Sequence, residues 1–171
     1  MLKGKRLTSA FFVRDVLEVA PDMIGKDLVV HSNNGEYARL MINDVEAYRG
    51  AEDRACHASK GRTPRTEIMF HEGGHLYIYL IYGMYWMLNV VAGPVDAPQA
   101  VLIRGAGIYK GPGVLTKSTG IDKTFYGENL AISDRIWLED SGSVHSFKTG
   151  PRIGIDYAGE LWKSVPWRYY I

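Results

Sequence analysis

The chain has 171 residues, 46% of them hydrophobic, which is enough for one domain with a sizeable core. A formal net charge of +1 neither requires nor excludes a polyanionic partner, and the single cysteine, Cys56, excludes an intrachain disulfide and a cysteine zinc cluster. No apolar run reaches the roughly 18 residues of a membrane helix, and no apolar signal core follows the basic N-terminus. We therefore expect a soluble, cytoplasmic protein.

In chain order, helical patterns occur at three places. Apolar residues at helical spacing predict a helix over 14–24, which Pro21 would kink or divide. A single helical turn over 66–70 follows, with Thr66 as its cap. Gly111-Pro112-Gly113 opens a predicted helix over 114–119, whose unpaired first-turn amides favour an anion such as a phosphate. Because this motif lacks the spacing of a nucleotide-binding P-loop, it is a weak signal alone.

Strand patterns fill most of the remaining chain. The segment Asn33-Asn34-Gly35 is a strong hairpin signal between the first two predicted strands. The predicted strands cover residues 27–31, 36–48, 77–81, 100–104, 135–139 and 152–155. Strands and short helices without regular βαβ alternation indicate the α+β class. We predict a single domain over residues 1–171, with a mainly antiparallel curved sheet, surrounding helices and a protruding β-hairpin.

The segment from Leu76 to Asn89 is apolar and aromatic almost throughout. Gly83 interrupts it, which predicts two strands joined by a tight turn or a bulge. In an extended chain Tyr77 and Tyr79 share one face, and Tyr82 lies at or near the tip. Two interpretations of this pattern stay open: a buried strand pair, or aromatic faces that stack on nucleic-acid bases.

The segment His71-Glu72-Gly73-Gly74-His75 matches the His-Glu-x-x-His motif of zinc peptidases, and Asp96 could supply a third ligand. This motif brings its ligands together only on a helix. The two glycines cost such a helix about 1 kcal/mol each relative to alanine, and strand-forming residues follow them. We therefore predict a turn without a metal site, and zinc hydrolysis is the least favoured alternative.

A set of short motifs runs in order through nearly the whole chain. They are Arg6 to Phe12, Glu46 to Tyr48, Gly50 to His57, Thr63 to Arg65, Tyr79 to Tyr85, Asn89, Val101 to Arg104, Gly111 to Gly113 and Gly150 to Ile155. Together these motifs resemble those of the alkyladenine, or 3-methyladenine, DNA glycosylases, which remove damaged purines. The chain departs from the family pattern at Val45, where threonine is frequent, and at Val114, where lysine is common. The segment before Gly111 is shorter than in the family, and the usual tail after Ile171 is missing.

The resemblance implies an enzyme of base excision repair. A damaged purine, alkylated or also deaminated, would be flipped out of the duplex before its N-glycosidic bond is hydrolysed. Glu46 would act as the general base that activates a water, and Arg104 would orient Glu46, the water or a nearby phosphate. Since the resemblance implies no amine nucleophile, the enzyme would be monofunctional, leave an abasic site, and need neither metal nor cofactor.

The same resemblance implies a binding pocket for the flipped base. Tyr48, His57 and Tyr79 would stack on that base, because electron-poor alkylated purines stack well on phenol rings. Asn89 would line the pocket and obstruct the exocyclic amine of normal guanine. These residues would select among bases, but the sequence does not define the width of the pocket.

Outside the pocket, the resemblance implies contacts with double-stranded DNA that contains damaged purines. Tyr82 would enter the minor groove and fill the space left by the flipped nucleotide, beside Met84 and Tyr85. Gly111 and Gly113 would contact DNA at the helix start. We expect a monomer without a membrane partner. A non-catalytic or weakly active lesion-binding protein remains the alternative, because the segment before Gly111 is short.

Overall fold

The computed structural model describes residues 4–32 and 34–171. In these ranges the chain forms four α-helices: α1 Ser9–Phe12, α2 Val16–Met23, α3 Pro112–Thr119 and α4 Glu160–Ser164. It forms ten strands: β1 Lys5–Arg6, β2 Asp27–His31, β3 Tyr37–Arg49, β4 Leu76–Ile81, β5 Tyr85–Ala92, β6 Gln99–Ala106, β7 Tyr109–Lys110, β8 Ile136–Asp140, β9 Lys148–Gly150 and β10 Arg168–Tyr170. Short 3₁₀ helices cover His57–Lys60, Glu67–Phe70, Lys123–Phe125 and Asp156–Ala158.

The strands form one antiparallel sheet in which β3 is the central element. The main path runs β1-β8-β2-β3-β6-β5-β4, with β7 beside β6 and β9 beside β10. The first half of β3 pairs with β2, and its second half lies between β6 and β10. A register shift in the β3–β6 pairing near Asp44 marks this change, as a β-bulge does. The structure confirms the α+β class, the antiparallel sheet and the hairpin.

The two faces of the sheet bury different side chains. One face packs against α2 and α3 in the main core, which includes Leu76 and Ile78 of β4. The opposite face carries a second, smaller buried cluster that includes Tyr77, and Tyr79 packs against this cluster. This alternation follows from the two-residue repeat of a strand and agrees with the predicted faces of the tyrosine segment.

Several predicted boundaries differ from the structure. The helix predicted over 14–24 is limited to α2, where the Asp15 side chain accepts a hydrogen bond from Leu17 N at 2.9 Å, and Pro21 lies inside it. The predicted strand over 152–155 is wrong, because this segment is a loop held by side-chain contacts. The sequence did not indicate β10, which pairs with β3 next to Glu46.

The predicted hairpin turn at 33–35 includes Asn33, which lies outside the described residues. On either side of it, Ser32 N donates to Glu36 O at 2.8 Å, and β2 pairs with β3 as predicted. Within the described ranges no helix is both long and apolar enough to cross a membrane.

Candidate active site

A cavity of about 920 Å³ opens on the face of the sheet that carries Tyr77. Strands β4, β5 and β6 form its base, and three connecting segments border it: residues 54–66, 111–114 and 153–157. Tyr48, His57, Tyr79, Asn89 and Arg104 all line this cavity. The structure therefore brings together the predicted pocket residues from four separate parts of the chain.

Glu46 lies beneath the floor of the cavity rather than in its lining. The residue has no exposed surface, and both carboxylate oxygens have partners. Tyr48 Oη donates to Oε2 at 2.7 Å, and the Ile153 amide donates to Oε1 at 2.7 Å. Arg104 Nη1 lies 3.4 Å from Oε1. Tyr48, Arg104 and Ile153, which all contact Glu46, line the cavity, whereas Glu46 itself does not.

The environment of Glu46 changes its acidity in opposing directions. Burial raises the pKa of Glu46, and the Arg104 cation, the Ile153 amide and the Tyr48 phenol offset part of that rise. Burial and the neighbouring Glu46 carboxylate raise the pKa of Tyr48 well above its ordinary value, so the phenol keeps its proton and serves as a donor. A buried acid with a raised pKa next to a cavity is a candidate for a functional carboxylate.

Arg104 belongs to a second group of charges at the edge of the cavity. Its Nε lies 3.8 Å from Asp44 Oδ2, and within the described chain that nitrogen is buried without a hydrogen-bond partner. Arg168 of β10 holds the Asp44 carboxylate through two hydrogen bonds of 3.0 and 2.8 Å. The Arg104 guanidinium thus contacts Glu46 and lines the cavity, and the Asp44 carboxylate lies near its Nε.

His57 and Tyr79 form one aromatic wall of the cavity. Their ring centroids are 4.6 Å apart, in an edge arrangement. His57 Nδ1 shares a 2.7 Å hydrogen bond with Tyr77 Oη, which fixes the imidazole ring. Burial, together with the Arg65 and Lys60 cations, lowers the pKa of His57 to about 4. The ring is therefore neutral near pH 7.

Asn89 lies on β5 and is almost completely buried. Its Nδ2 donates to the Tyr77 carbonyl at 3.1 Å and to the Met87 carbonyl at 3.4 Å. Because the backbone holds the amide nitrogen, the orientation of the side chain at the cavity floor is fixed.

The β4–β5 hairpin projects its tip into solvent. Tyr82 is 84% exposed and Met84 is 64% exposed. Tyr82 has φ 54° and Gly83 has φ 66°, the signs of a type I′ turn, and Met84 N donates to Ile81 O at 3.1 Å. The buried strand pair and the exposed aromatic tip, which the sequence left as alternatives, therefore occur in the same hairpin.

The Gly111-Pro112-Gly113 segment begins α3 beside the hairpin, with Pro112 in the first turn. Gly111 has φ 98°, which favours glycine. A Cβ at Gly113 would lie 2.7 Å from Tyr85 Cδ1, so the close approach of helix and hairpin requires glycine there. The helix start and the hairpin thus form one continuous border of the cavity.

The family model described as methylpurine-DNA glycosylase matches this chain over residues 10–110 and 105–171. The chain belongs to this family. A relative from Psychrobacter cryohalolentis is 41% identical over 88% of this chain and 85% of its own, and one from Natranaerobius thermophilus is 39% identical over 97% and 95%. A third, from Methanocella arvoryzae, is 41% identical over 94% and 89%. Each of the three carries the name "Putative 3-methyladenine DNA glycosylase".

Membership of the methylpurine-DNA glycosylase family confirms the resemblance drawn from the sequence motifs. The structure also bears on the His-Glu-x-x-His segment, His71 to His75. Residues 71–75 form a turn rather than a helix. A Cβ at Gly73 would lie 2.2 Å from Phe12 O, so the close approach of the two segments requires glycine there. In the described part of the chain no group of three histidine, cysteine or acidic side chains could hold a metal ion.

Sequence reasoning missed four residues that shape this candidate site: Asp53, Tyr77, Arg152 and Ile153. Tyr77 holds His57, and the Ile153 amide contacts Glu46. Asp53 and Arg152 form a fully buried ion pair behind Tyr48. The motifs Gly50 to His57 and Gly150 to Ile155 contain three of the four, but nothing in the sequence indicated that the two segments meet.

Proposed function

We propose that this protein is a monofunctional DNA glycosylase that flips damaged purines from duplex DNA and hydrolyses their N-glycosidic bond. The observation that carries the proposal is one constellation: a buried acid, Glu46, next to Arg104, beneath an aromatic cavity whose border bears the exposed Tyr82. The substrates are alkylated purines and, in a wider set, deaminated ones. The protein acts as a monomer in the cytoplasm, and double-stranded DNA is its partner.

In this proposal the cavity receives the flipped base. Tyr48, Tyr79 and neutral His57 stack on it, and an uncharged imidazole avoids repelling a cationic alkylated purine. Asn89 excludes the exocyclic amine of guanine by its fixed position. Tyr82 replaces the stacking that the duplex loses when the nucleotide leaves.

Glu46 then activates a water for attack on the deoxyribose carbon as the C–N bond breaks, and its charge stabilises the oxocarbenium-like state. A water must reach the carboxylate through the layer formed by Tyr48, Arg104 and Ile153. Each carboxylate oxygen accepts more than one hydrogen bond, so the existing contacts leave capacity for that water. The N-terminal turn of α3, at Gly111 and Gly113, contacts the DNA near the lesion. The hairpin residues Met84 and Tyr85 pack beside Tyr82 at the DNA.

The complete burial of Glu46 favours a second candidate, a protein that binds lesions without releasing the base. Single-turnover reactions on duplexes containing ethenoadenine or hypoxanthine, and on alkylated DNA, separate the two functions. We expect alkali-labile abasic sites on at least one of these substrates and none on undamaged duplex. Tight lesion binding without any abasic product in folded protein would establish the second function instead.

A further inference from the structure

The ion pair between Asp53 and Arg152 is the most deeply buried pair of charges in the described chain. Neither side chain has exposed surface, and the two bonds measure 2.6 Å and 3.0 Å. A buried ion pair is weak evidence for stability, because desolvation of both charges offsets their attraction. The role of this ion pair is therefore better inferred from the segments that it connects than from its contribution to stability.

Asp53 and Arg152 connect the segments that enclose the candidate site. Asp53 accepts hydrogen bonds from the backbone amides of Arg49, at the end of β3, and Ala55, in the segment that leads to His57. Arg152 donates to the Ala47 carbonyl on β3 at 3.0 Å. One pair of side chains thus fixes β3, the segment before His57, and the segment after β9 relative to one another.

Arg152 also contacts the site in two further ways. Its guanidinium lies 4.8 Å from the Tyr48 ring centroid and 5.1 Å from that of Trp167, so it packs between these two rings and supports Tyr48. The next residue along the chain is Ile153, whose amide donates to Glu46. Since this segment is a loop without strand pairing, the anchoring of Arg152 determines where that amide lies.

We propose that Asp53 and Arg152 are a positioning pair for the reaction, holding the Ile153 amide on Glu46 and the Tyr48 phenol on the same carboxylate. This inference rests on the proposed function. Neither residue touches the cavity through its charged group, so both act through Glu46 and Tyr48.

Another bidentate pair in the sheet provides a matched comparison. Arg39 and Glu139 join β3 to β8 with bonds of 3.2 and 3.1 Å, and Glu139 is also nearly buried. This pair contacts no residue of the candidate site in the described structure. Either substitution replaces a carboxylate by its amide within a bidentate pair, but only Asp53→Asn disturbs the site.

The charges that face Glu46 determine how its acidity responds. Arg104 on β6 and Arg168 on β10 are cations near it, and Asp44 on β3 is an anion near it. The Ile153 amide lowers the pKa of Glu46 in this setting. If Asp53→Asn displaces that amide, the pKa of Glu46 rises, and the acidic limb of the pH–rate profile moves to higher pH.

The test compares Asp53→Asn and Glu139→Gln with the unmodified protein by two measurements. The first is the amide proton resonance of Ile153, which reports the hydrogen bond whether or not the protein is an enzyme. The second is single-turnover base release across pH on the best substrate of the wild-type protein. We expect Asp53→Asn to shift the Ile153 amide upfield, slow base release roughly tenfold to a hundredfold, and move the acidic limb upward. Glu139→Gln should leave all three unchanged.

Arg152→Lys is the second variant, because it keeps the cation but loses the two-pronged bond and the flat stacking surface. It should reproduce the effects of Asp53→Asn if that variant does not fold. Equal rates, profiles and Ile153 resonances in the Asp53, Arg152 and Glu139 variants would overturn the positioning role. The wild-type protein could release no base while the Ile153 resonance still moves in the Asp53 and Arg152 variants. That result would reject the proposed function and retain the conclusion that the ion pair positions the Ile153 amide.

Discussion

Glu46 combines full burial with a proposed role that requires water to reach it. Its hydrogen bonds come from Tyr48 and Ile153, both of which line the cavity, so the acid lies directly behind the cavity lining. The same burial raises the pKa of Glu46, which makes the carboxylate a stronger base than a solvated glutamate.

The raised pKa gives a prediction for the pH dependence of base release. Only ionised Glu46 acts as the base, so the single-turnover rate should rise with pH through the pKa of Glu46, above the ordinary glutamate value of 4.5. His57, with a pKa of about 4, is already neutral in that range and does not set this limb. Reactions without protein at each pH control for spontaneous depurination. A rate that remains flat down to about pH 4 would contradict the assignment.

Among the elements, the β4–β5 hairpin carries both structural and proposed binding functions. Strand alternation places Leu76 and Ile78 in the core and Tyr77 and Tyr79 at the cavity, and the sequence pattern predicted that the two tyrosines share one face. The tip is less favourable for folding, because a non-glycine residue with φ 54° is strained. A strained, exposed aromatic at a loop tip indicates a residue kept for binding rather than for stability.

Replacing Tyr82 by asparagine should separate the backbone strain at the tip from the contribution of the Tyr82 ring to DNA binding. Asparagine tolerates positive φ, so Tyr82→Asn should raise the free energy of unfolding by about 0.5–1 kcal/mol in urea titrations. The loss of the aromatic wedge should weaken binding to lesion duplex roughly tenfold or more. Tyr37→Asn, at the opposite end of β3 from Tyr48 and half exposed, is the control for binding. Unchanged lesion affinity in Tyr82→Asn would remove the hairpin tip from the interface.

Elements with a strong local pattern could be predicted, whereas those defined by distant partners could not. The tyrosine hairpin and strand β2 follow from alternation and turn residues. Strand β10 has only three residues and exists because β3 and β9 flank it. The loop at 152–155 has β-branched residues that favour a strand, but the buried Arg152 side chain and the Glu46 carboxylate hold it in another conformation.

At the scale of the whole molecule, the site is assembled from segments that are far apart in the sequence. Motif resemblance indicated which residues belong to it, but not that residues 151–155 cover Glu46. That arrangement depends on Asp53 and Arg152, which are 99 positions apart in the chain. Contacts at such separation leave no periodic signal in a single sequence, so the depth of Glu46 could not be predicted.

The net charge of +1 predicts that DNA affinity depends on a local group of cations rather than on the whole surface. Lys60 is exposed at the border of the cavity. Lys60→Gln should reduce the slope of log affinity against log salt by about one, as expected for one lost phosphate contact. Lys123→Gln, an exposed lysine outside the cavity lining, should leave the slope unchanged. Identical slopes in both variants would place the DNA elsewhere.

The most direct test of the account is single-turnover base release by Glu46→Gln, with lesion binding measured on the same preparation. Glutamine keeps the size of the side chain and an acceptor for the Ile153 amide, but it cannot take a proton from water. We predict that base release falls by at least about a hundredfold, while affinity for a lesion duplex stays within a few-fold of wild type. Base release at the wild-type rate in Glu46→Gln would contradict the central role of this buried acid.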